Sequence, residues 1–510
     1  MVRTGEREAG GGGAEEGEGR GFARRSARAG AAATLGQGAS LVALLASAPV
    51  LGRLLTPGDY GLVGMVTAVS GFLYAVRELG LRRAAVQARS LSESQRSALF
   101  WLGVCGAIAS AGAVAALGPA LVWFYGEAEL AGLAAGVAIG FAVSGLGVQH
   151  TAMLQRELRF GAVAIVQGAA AVLGAAAGIA HAALAPSPWA LVTLQVVTAL
   201  VLAAGPWVCV RWRPSWPTAA VRASAVGALV RYGAWSSVSD LTAALTRHAD
   251  KVIVGRVFGD EALGAYARSF SLLVMPMRQV TMPLGSVALP TLSRLRDDPA
   301  RYRAFYRRGL SAASLATVPI APFVASCAGP IVFTLLGGQW GAAVPIVVAM
   351  SPGILALATA PATVWVYQSL GHVDRQFRWM LLAAGVAVVA FGVGATMSPA
   401  AVAGIAGVAS LALRVPGAWW CFRGTFVRMG DFWGAVWPAV VASLAAGGVA
   451  WGLEAAVVPG GWPEPVRLLA LAPAFSVAYL AALGSFGAGR RSVRDAFEMA
   501  RLVRRGADAG

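Results

Sequence analysis

The chain has 510 residues, 57% of them hydrophobic and 13% charged, with a formal net charge of +17 and a mean hydropathy of +0.66. A soluble domain carries about 25% charged residues, so the composition describes a membrane protein. The basic excess does not indicate nucleic acid, because the arginines recur in short clusters between apolar runs and form no groove-reading module. Lys251 is the single lysine among the 41 Lys+Arg residues, a bias that follows the Ala/Gly-rich coding and carries little chemistry by itself.

In chain order, residues 1–30 are Gly, Glu and Arg with almost nothing apolar, and read as a disordered tail. The first apolar run lacks a small-residue cleavage site and reads as a retained span. Fourteen spans near the length that crosses a hydrocarbon core follow, at 32–52, 59–76, 97–121, 130–153, 161–184, 189–210, 232–256, 264–288, 309–336, 342–368, 377–397, 399–421, 433–454 and 465–487. Odd-numbered spans end in arginine-poor turns such as TPGD at 56–59, GDE at 259–261 and GGQW at 337–340. Even-numbered spans end in basic stretches, among them Arg77, Arg82 and Arg83, then Arg156 and Arg159, then Arg211 and Arg213, then Arg301, Arg303, Arg307 and Arg308, then Arg423 and Arg428. The positive-inside rule then puts both termini in the cytoplasm.

Tryptophans at span ends (Trp123, Trp189, Trp212, Trp340, Trp419, Trp420, Trp433 and Trp462) read as an interfacial belt. The series Gly132, Gly136, Gly140 and the pair Gly174/Gly178 have small-xxx-small spacing and read as close helix packing. Cys105, Cys209, Cys327 and Cys421 have no CxxC or His/Cys spacing and read as small core residues. The tail RRSVRDAFEMARLVRR is amphipathic, with Val493, Phe497 and Ala500 on one side, and is expected to lie on the cytoplasmic leaflet.

The seventh span is unlike the rest. On a helix, Ser236, Asp240, Ala244, Arg247 and Lys251 fall on one narrow stripe, with Asp250 beside it and one turn from Arg247. A charge near the bilayer centre costs roughly 2.5–3.5 kcal/mol on insertion scales, so the stripe faces a wet cavity or pairs internally as a structural ion cluster. Asp250, three residues from Arg247, can reach it directly.

GRLLTPGDYG at 52–61 and GRVFGDEALG at 255–264 share Gly-Arg and a closing Gly at an offset of 203 residues. Each joins the first two spans of a six-span block with an even number of spans between, which implies two halves in the same orientation. The same offset sets Gln37 opposite Asp240, Leu44 opposite Arg247 and Ala48 opposite Lys251. The first half thus keeps the helix without its charges.

These motifs, with ELGLRRAAVQ (78–87), LSESQRSALFW (91–101), LQRELRF (154–160), VRYGAW (230–235), RHADKVIVGRVFGDEALGAYARSFSLLVMP (247–276), LPTLSRLRDDPARYR (289–303) and LLGGQWGAAVPI (335–346), resemble oligosaccharide flippases of the Wzx type. Those form the polysaccharide transporter branch of the multidrug/oligosaccharidyl-lipid/polysaccharide (MOP) exporter superfamily. The resemblance covers most of residues 34–370; the last two spans rest on hydropathy alone. It implies an all-α integral membrane protein of about 14 transmembrane helices, with two parallel-repeat six-helix lobes plus two C-terminal helices. The expected divisions are a tail (1–30), an N-lobe (31–212), a cytoplasmic linker (213–231), a C-lobe (232–428), two additional helices (429–488) and a basic amphipathic tail (489–510). The implied activity is alternating-access transfer of an undecaprenyl-diphosphate-linked oligosaccharide across the bacterial cytoplasmic membrane. Bilayer lipids and polysaccharide polymerase or assembly proteins are the implied partners.

Arg247 and Lys251 stand where a cavity would want cations for a diphosphate or acidic sugars. Asp240 and Asp250 would hold them ready, or titrate with a coupling ion, H+ or Na+; no other cofactor and no metal is expected. Arg268 and Arg278 in the eighth span are further cavity candidates, while Arg53 and Arg256 divide between ligand contact and interfacial snorkelling. Arg77, Glu78, Arg82 and Arg83 read as loop charges. Three other classes stay open: a MATE-type drug/cation antiporter, a membrane glycosyltransferase or ligase, and a passive scaffold of polysaccharide assembly. The antiporter would favour acidic cavity residues. The enzyme would need a large external loop and a catalytic constellation, neither of which the sequence supplies.

Overall fold

The computed structural model describes residues 35–43, 45–77, 91–216, 223–456 and 461–508, with Ala32 and Ala85, and the side chains of these except 74–77, 223–247 and 500–508. The expectations on residues 1–30, Leu44, Glu78, Arg82 and Arg83, and on the side chains of Arg77, Asp240 and Arg247, lie outside that set. Among the described residues the fold is helical, with no strand. The helices are α1 (Leu35–Leu54), α2 (Pro57–Arg77), α3 (Glu93–Ala116), α4 (Gly118–Tyr125), α5 (Leu130–Arg156), α6 (Phe160–Leu184), α7 (Trp189–Cys209), α8 (Ala223–Arg294), α9 (Pro299–Thr317), α10 (Ile320–Ser326), α11 (Ala328–Leu335), α12 (Ala343–Ala358), α13 (Pro361–Ser369), α14 (Val373–Ala395), α15 (Pro399–Ala412), α16 (Arg414–Phe422), α17 (Met429–Ala456), α18 (Glu464–Ser485) and α19 (Gly487–Asp508).

Twelve of the described helical stretches are long and apolar enough to span a membrane. Helix α2, with 21 residues, and the bend of α8 at Gly259 (φ 85°, ψ −174°) bring the arrangement to the fourteen spans of the sequence pattern. This is a multi-pass membrane protein. Only glycine enters that left-handed backbone region without strain, so the GDE turn between spans seven and eight falls where the residue permits it. The TPGD turn is closed differently. Thr56 N and Oγ1 both donate to Asp59 Oδ2 at 2.8 Å, and Asp59 N donates back to Thr56 Oγ1 at 3.2 Å, capping α2. The boundary at Ser398-Pro399 is likewise a cap: Ser398 Oγ accepts from Ala401 N at 3.1 Å.

Several spans are broken. Span nine runs as α9, α10 and α11, span ten as α12 and α13 with Pro361 in the second piece's first turn, and span twelve as α15 and α16 with Pro416 just after the break. The glycine series pack as their spacing suggests. A Cβ built on Gly136 would stand 2.8 Å from Trp189, and one on Gly174 would stand 2.0 Å from Thr198 Oγ1, so α7 lies close against both α5 and α6.

Spans thirteen and fourteen dock on the second lobe. Arg303 of α9 grips Asp431 of α17 with a two-pronged ion pair, Nε to Oδ2 at 2.8 Å and Nη2 to Oδ1 at 3.0 Å. Tyr479 of α18 donates to the Leu315 carbonyl at 3.0 Å. The two added helices are tied to each other by Arg467, which reaches Glu454 at 3.1 Å and Glu464 at 3.0 Å. The tail helix α19 packs on α9 with Met499 and Ser492 buried, and Arg308 reaches Glu498 at 3.4 Å and Asp495 at 3.8 Å. One face therefore meets protein, while Phe497 stays 67% exposed.

One reading of the tryptophan belt is corrected. Trp340 is fully buried, because its indole nitrogen donates to the Gly52 carbonyl at 2.7 Å and its ring meets Tyr60 edge-on at 5.3 Å.

Candidate functional site

A cavity of about 610 Å³ opens between the first repeat and α8. One wall comes from α1 and α2 (Ser40, Ser47, Ala48, Tyr60, Thr67), a second from α6 and α7 (Ala171, Gln195, Thr198), and the third from α8 (Lys251, Arg268, Ser271, Gln279). Ala48 and Gly64 line it at positions offset by 203 from Lys251 and Ala267, which also line it. Repeat-related positions thus face the same space, and the lining cations among the described residues, Lys251 and Arg268, belong to the second repeat.

Of the six singled-out residues whose side chains are described, two meet at this cavity: Lys251 from the limb of α8 before Gly259 and Arg268 from the limb after it. The Lys251 ammonium stands 5.5 Å from the centre of the Phe270 ring. Arg268 donates from Nη2 to the Ala48 carbonyl at 3.1 Å, and its guanidinium lies 5.1 Å from the Tyr60 ring centre. Its Nε and the Tyr60 hydroxyl are buried with no hydrogen-bond partner. Buried polar groups are normally satisfied, so these two neighbouring donors, from facing walls of the cavity, are left without acceptors. Among the described residues, no lining side chain carries a carboxylate.

Four others are placed elsewhere. Asp250 is 7% exposed and turned from the cavity; its Oδ2 accepts from the Tyr266 hydroxyl at 3.1 Å and its Oδ1 from the Lys251 backbone N–H at 2.8 Å. Arg53 reaches the Thr334 carbonyl at 3.0 Å, and Arg256 lies 5.6 Å from the Phe124 ring centre; both are exposed at the turns. Arg278 is exposed and does not line the cavity, whereas its neighbour Gln279 does. Asp240 and Arg247 lie on α8, and their side chains are outside the described set.

Sequence reasoning missed Gln195, Gln279, Thr198 and Tyr60. The signal was present for the glutamines, since an amide inside an apolar span costs free energy unless it faces water or a partner.

The fold is that of the MOP transporters. The structure resembles the lipid II flippase MurJ in an inward closed conformation, with a TM-score of 0.67 at 9% identity over 88% of this chain and 97% of that one. It also resembles an inward-facing multidrug resistance MATE family transporter, with a TM-score of 0.55 at 14% identity over 75% of this chain and 94% of that one. A family model described as polysaccharide biosynthesis protein matches residues 50–345, and the chain belongs to that family. Similar proteins include the teichuronic acid biosynthesis protein TuaB of Bacillus subtilis (strain 168), 24% identical over 438 residues, 84% of this chain and 89% of the relative. The succinoglycan biosynthesis transport protein ExoT of Rhizobium meliloti (strain 1021) is 24% identical over 340 residues, 66% of this chain and 67% of the relative. The lipopolysaccharide biosynthesis protein WzxC of Escherichia coli (strain K12) is 21% identical over 299 residues, 58% of this chain and 60% of the relative.

Proposed function

We propose that this protein flips an undecaprenyl-diphosphate-linked oligosaccharide across the cytoplasmic membrane by alternating access, for export of a cell-surface polysaccharide. The observation that carries this is the cavity's charge: Lys251 and Arg268 in a lining whose described residues include no carboxylate. A diphosphate supplies the acceptor oxygens that Arg268 Nε and the Tyr60 hydroxyl lack, and a guanidinium binds such oxygens as a fork. Gln195, Thr198, Ser271 and Gln279 offer neutral donors and acceptors of the kind that sugar hydroxyls need. Cationic drugs would meet like charge here, which disfavours the antiporter reading. In the proposed orientation the basic loops and both termini are cytoplasmic, and the TPGD, GDE and GGQW turns face outward.

The test is reconstitution. Proteoliposomes holding the purified protein should carry a fluorescently tagged undecaprenyl-diphosphate oligosaccharide to the opposite leaflet, where an impermeant quencher or glycosidase detects it. They should not move a cationic dye such as ethidium. Dye transport without lipid transfer would replace the flippase reading with the antiporter.

A further inference from the structure

The duplicated motif meets itself. A Cβ built on Gly61 would stand 1.8 Å from the Asp260 carbonyl oxygen, and one on Gly264 would stand 1.8 Å from the Pro57 carbonyl oxygen. Adding 203 turns Gly61 into Gly264 and Pro57 into Asp260. Each repeat therefore offers its glycine to the other's turn, which is the reciprocal pattern of a two-fold contact. Gly58 continues it, its built Cβ lying 2.8 Å from Asp260 Oδ2 and 3.8 Å from Cγ.

Donors from the turn after α11 lock the same end. Gln339 Nε2 donates to the carbonyls of Gly52 at 2.7 Å and Leu55 at 2.9 Å, and Trp340 Nε1 adds the 2.7 Å bond to Gly52. These carbonyls belong to the end of α1, where a helix leaves acceptors without internal partners. Arg53 returns a bond to Thr334 at 3.0 Å. Tyr60 borders both this junction, through Trp340, and the cavity.

We infer that the repeated Gly-Arg…Gly motif is the outer gate of the transporter, closed in this structure, whose two copies part whenever the cavity opens outward. This rests on the alternating-access reading above. Backbone meeting backbone across glycines parts without unlocking interdigitated side chains, and water can take over the carbonyls that Gln339 and Trp340 now satisfy. Permanent tight packing is the competing explanation of the same contacts, and it forbids nothing about transport.

A reversible lock separates the two. In a background with Cys105, Cys209, Cys327 and Cys421 replaced by alanine, Gly58→Cys and Asp260→Cys place two thiols where Gly58 and Asp260 meet; Ala171→Cys adds a reporter in the cavity. In proteoliposomes, oxidation should cross-link residues 58 and 260, abolish oligosaccharide transfer and abolish outer-side labelling of residue 171 by an impermeant maleimide. Reduction should restore both, and either single variant of the pair should ignore the oxidant. Full transfer by cross-linked protein, or failure of the pair to cross-link, would overturn the gate. If even unlocked protein moves no lipid-linked oligosaccharide, the transport reading fails separately, and the labelling decides the gate: loss on oxidation supports it, and unchanged labelling overturns it.

Discussion

Replacing Asp431 by asparagine tests whether spans thirteen and fourteen are fixed to the second lobe. Both carboxylate oxygens are engaged: Oδ1 by Arg303 Nη2, and Oδ2 by Arg303 Nε and the Arg428 backbone N–H at 3.0 Å. The Asp431 side chain is 4% exposed and that of Arg303 is 32% exposed. Asparagine keeps one acceptor, loses the fork and turns an N–H toward a guanidinium. Breaking a buried pair costs about 3–5 kcal/mol, but a partly exposed arginine recovers some hydration, so a loss of about 2–3 kcal/mol is expected. The double change Asp431→Leu with Arg303→Met removes both charges and should return stability to within about 1 kcal/mol of the parent, since replacing a whole buried pair is often neutral. The assay is thermal unfolding of detergent-purified Asp431→Asn, Asp431→Leu, Arg303→Met and the Leu/Met double, the last three closing a cycle with the parent. An Asp431→Asn loss below about 0.5 kcal/mol, the range of ordinary surface changes, would refute the clamp.

Trp340→Phe keeps the ring contact with Tyr60 and removes the donor to Gly52. Stability should fall by about 1 kcal/mol, and labelling of a cavity cysteine from the outer side should rise, as read by maleimide uptake. Tyr266→Phe strips Asp250 of its side-chain donor and should cost about 0.6–1.7 kcal/mol in the membrane-embedded core, measured by the same thermal assay. For topology, single cysteines at Gly338 and Gly461 should label from outside intact cells, and those at Arg301 and Arg428 only after permeabilisation; outside labelling at Arg301 would invert the arrangement.

The spans were legible because apolar length and loop charge are properties of contiguous sequence, and the turns at Thr56–Asp59 and Gly259 were legible because their residues cap or bend a helix locally. The 203-residue repeat was visible as a spacing, but not its reciprocal contact, which joins segments brought together only by the tertiary fold. Asp250 illustrates the limit. Helix geometry offered Arg247, whose side chain lies outside the described set, but not the hydroxyl of Tyr266, which comes from the limb of α8 beyond Gly259. Trp340 looked like its fellow interfacial tryptophans because indole content and span-end position are all that sequence supplies; only the neighbouring α1 carbonyls make it a buried donor. Lys251 and Arg268 drew notice as charges in apolar spans, while Gln195 and Gln279 did not, since an uncharged amide raises hydropathic cost less visibly.

The central claim is that Lys251 and Arg268 hold the diphosphate of a lipid-linked oligosaccharide. It is tested most directly by oligosaccharide transfer in proteoliposomes carrying Lys251→Gln, Arg268→Gln, both together, or Arg268→Lys, each at matched reconstituted amount and thermal stability. The account predicts near-complete loss in the double variant, a strong loss in each glutamine variant, and partial activity in Arg268→Lys, which keeps the charge but not the fork. Transfer by the double variant at the parent's rate would contradict it.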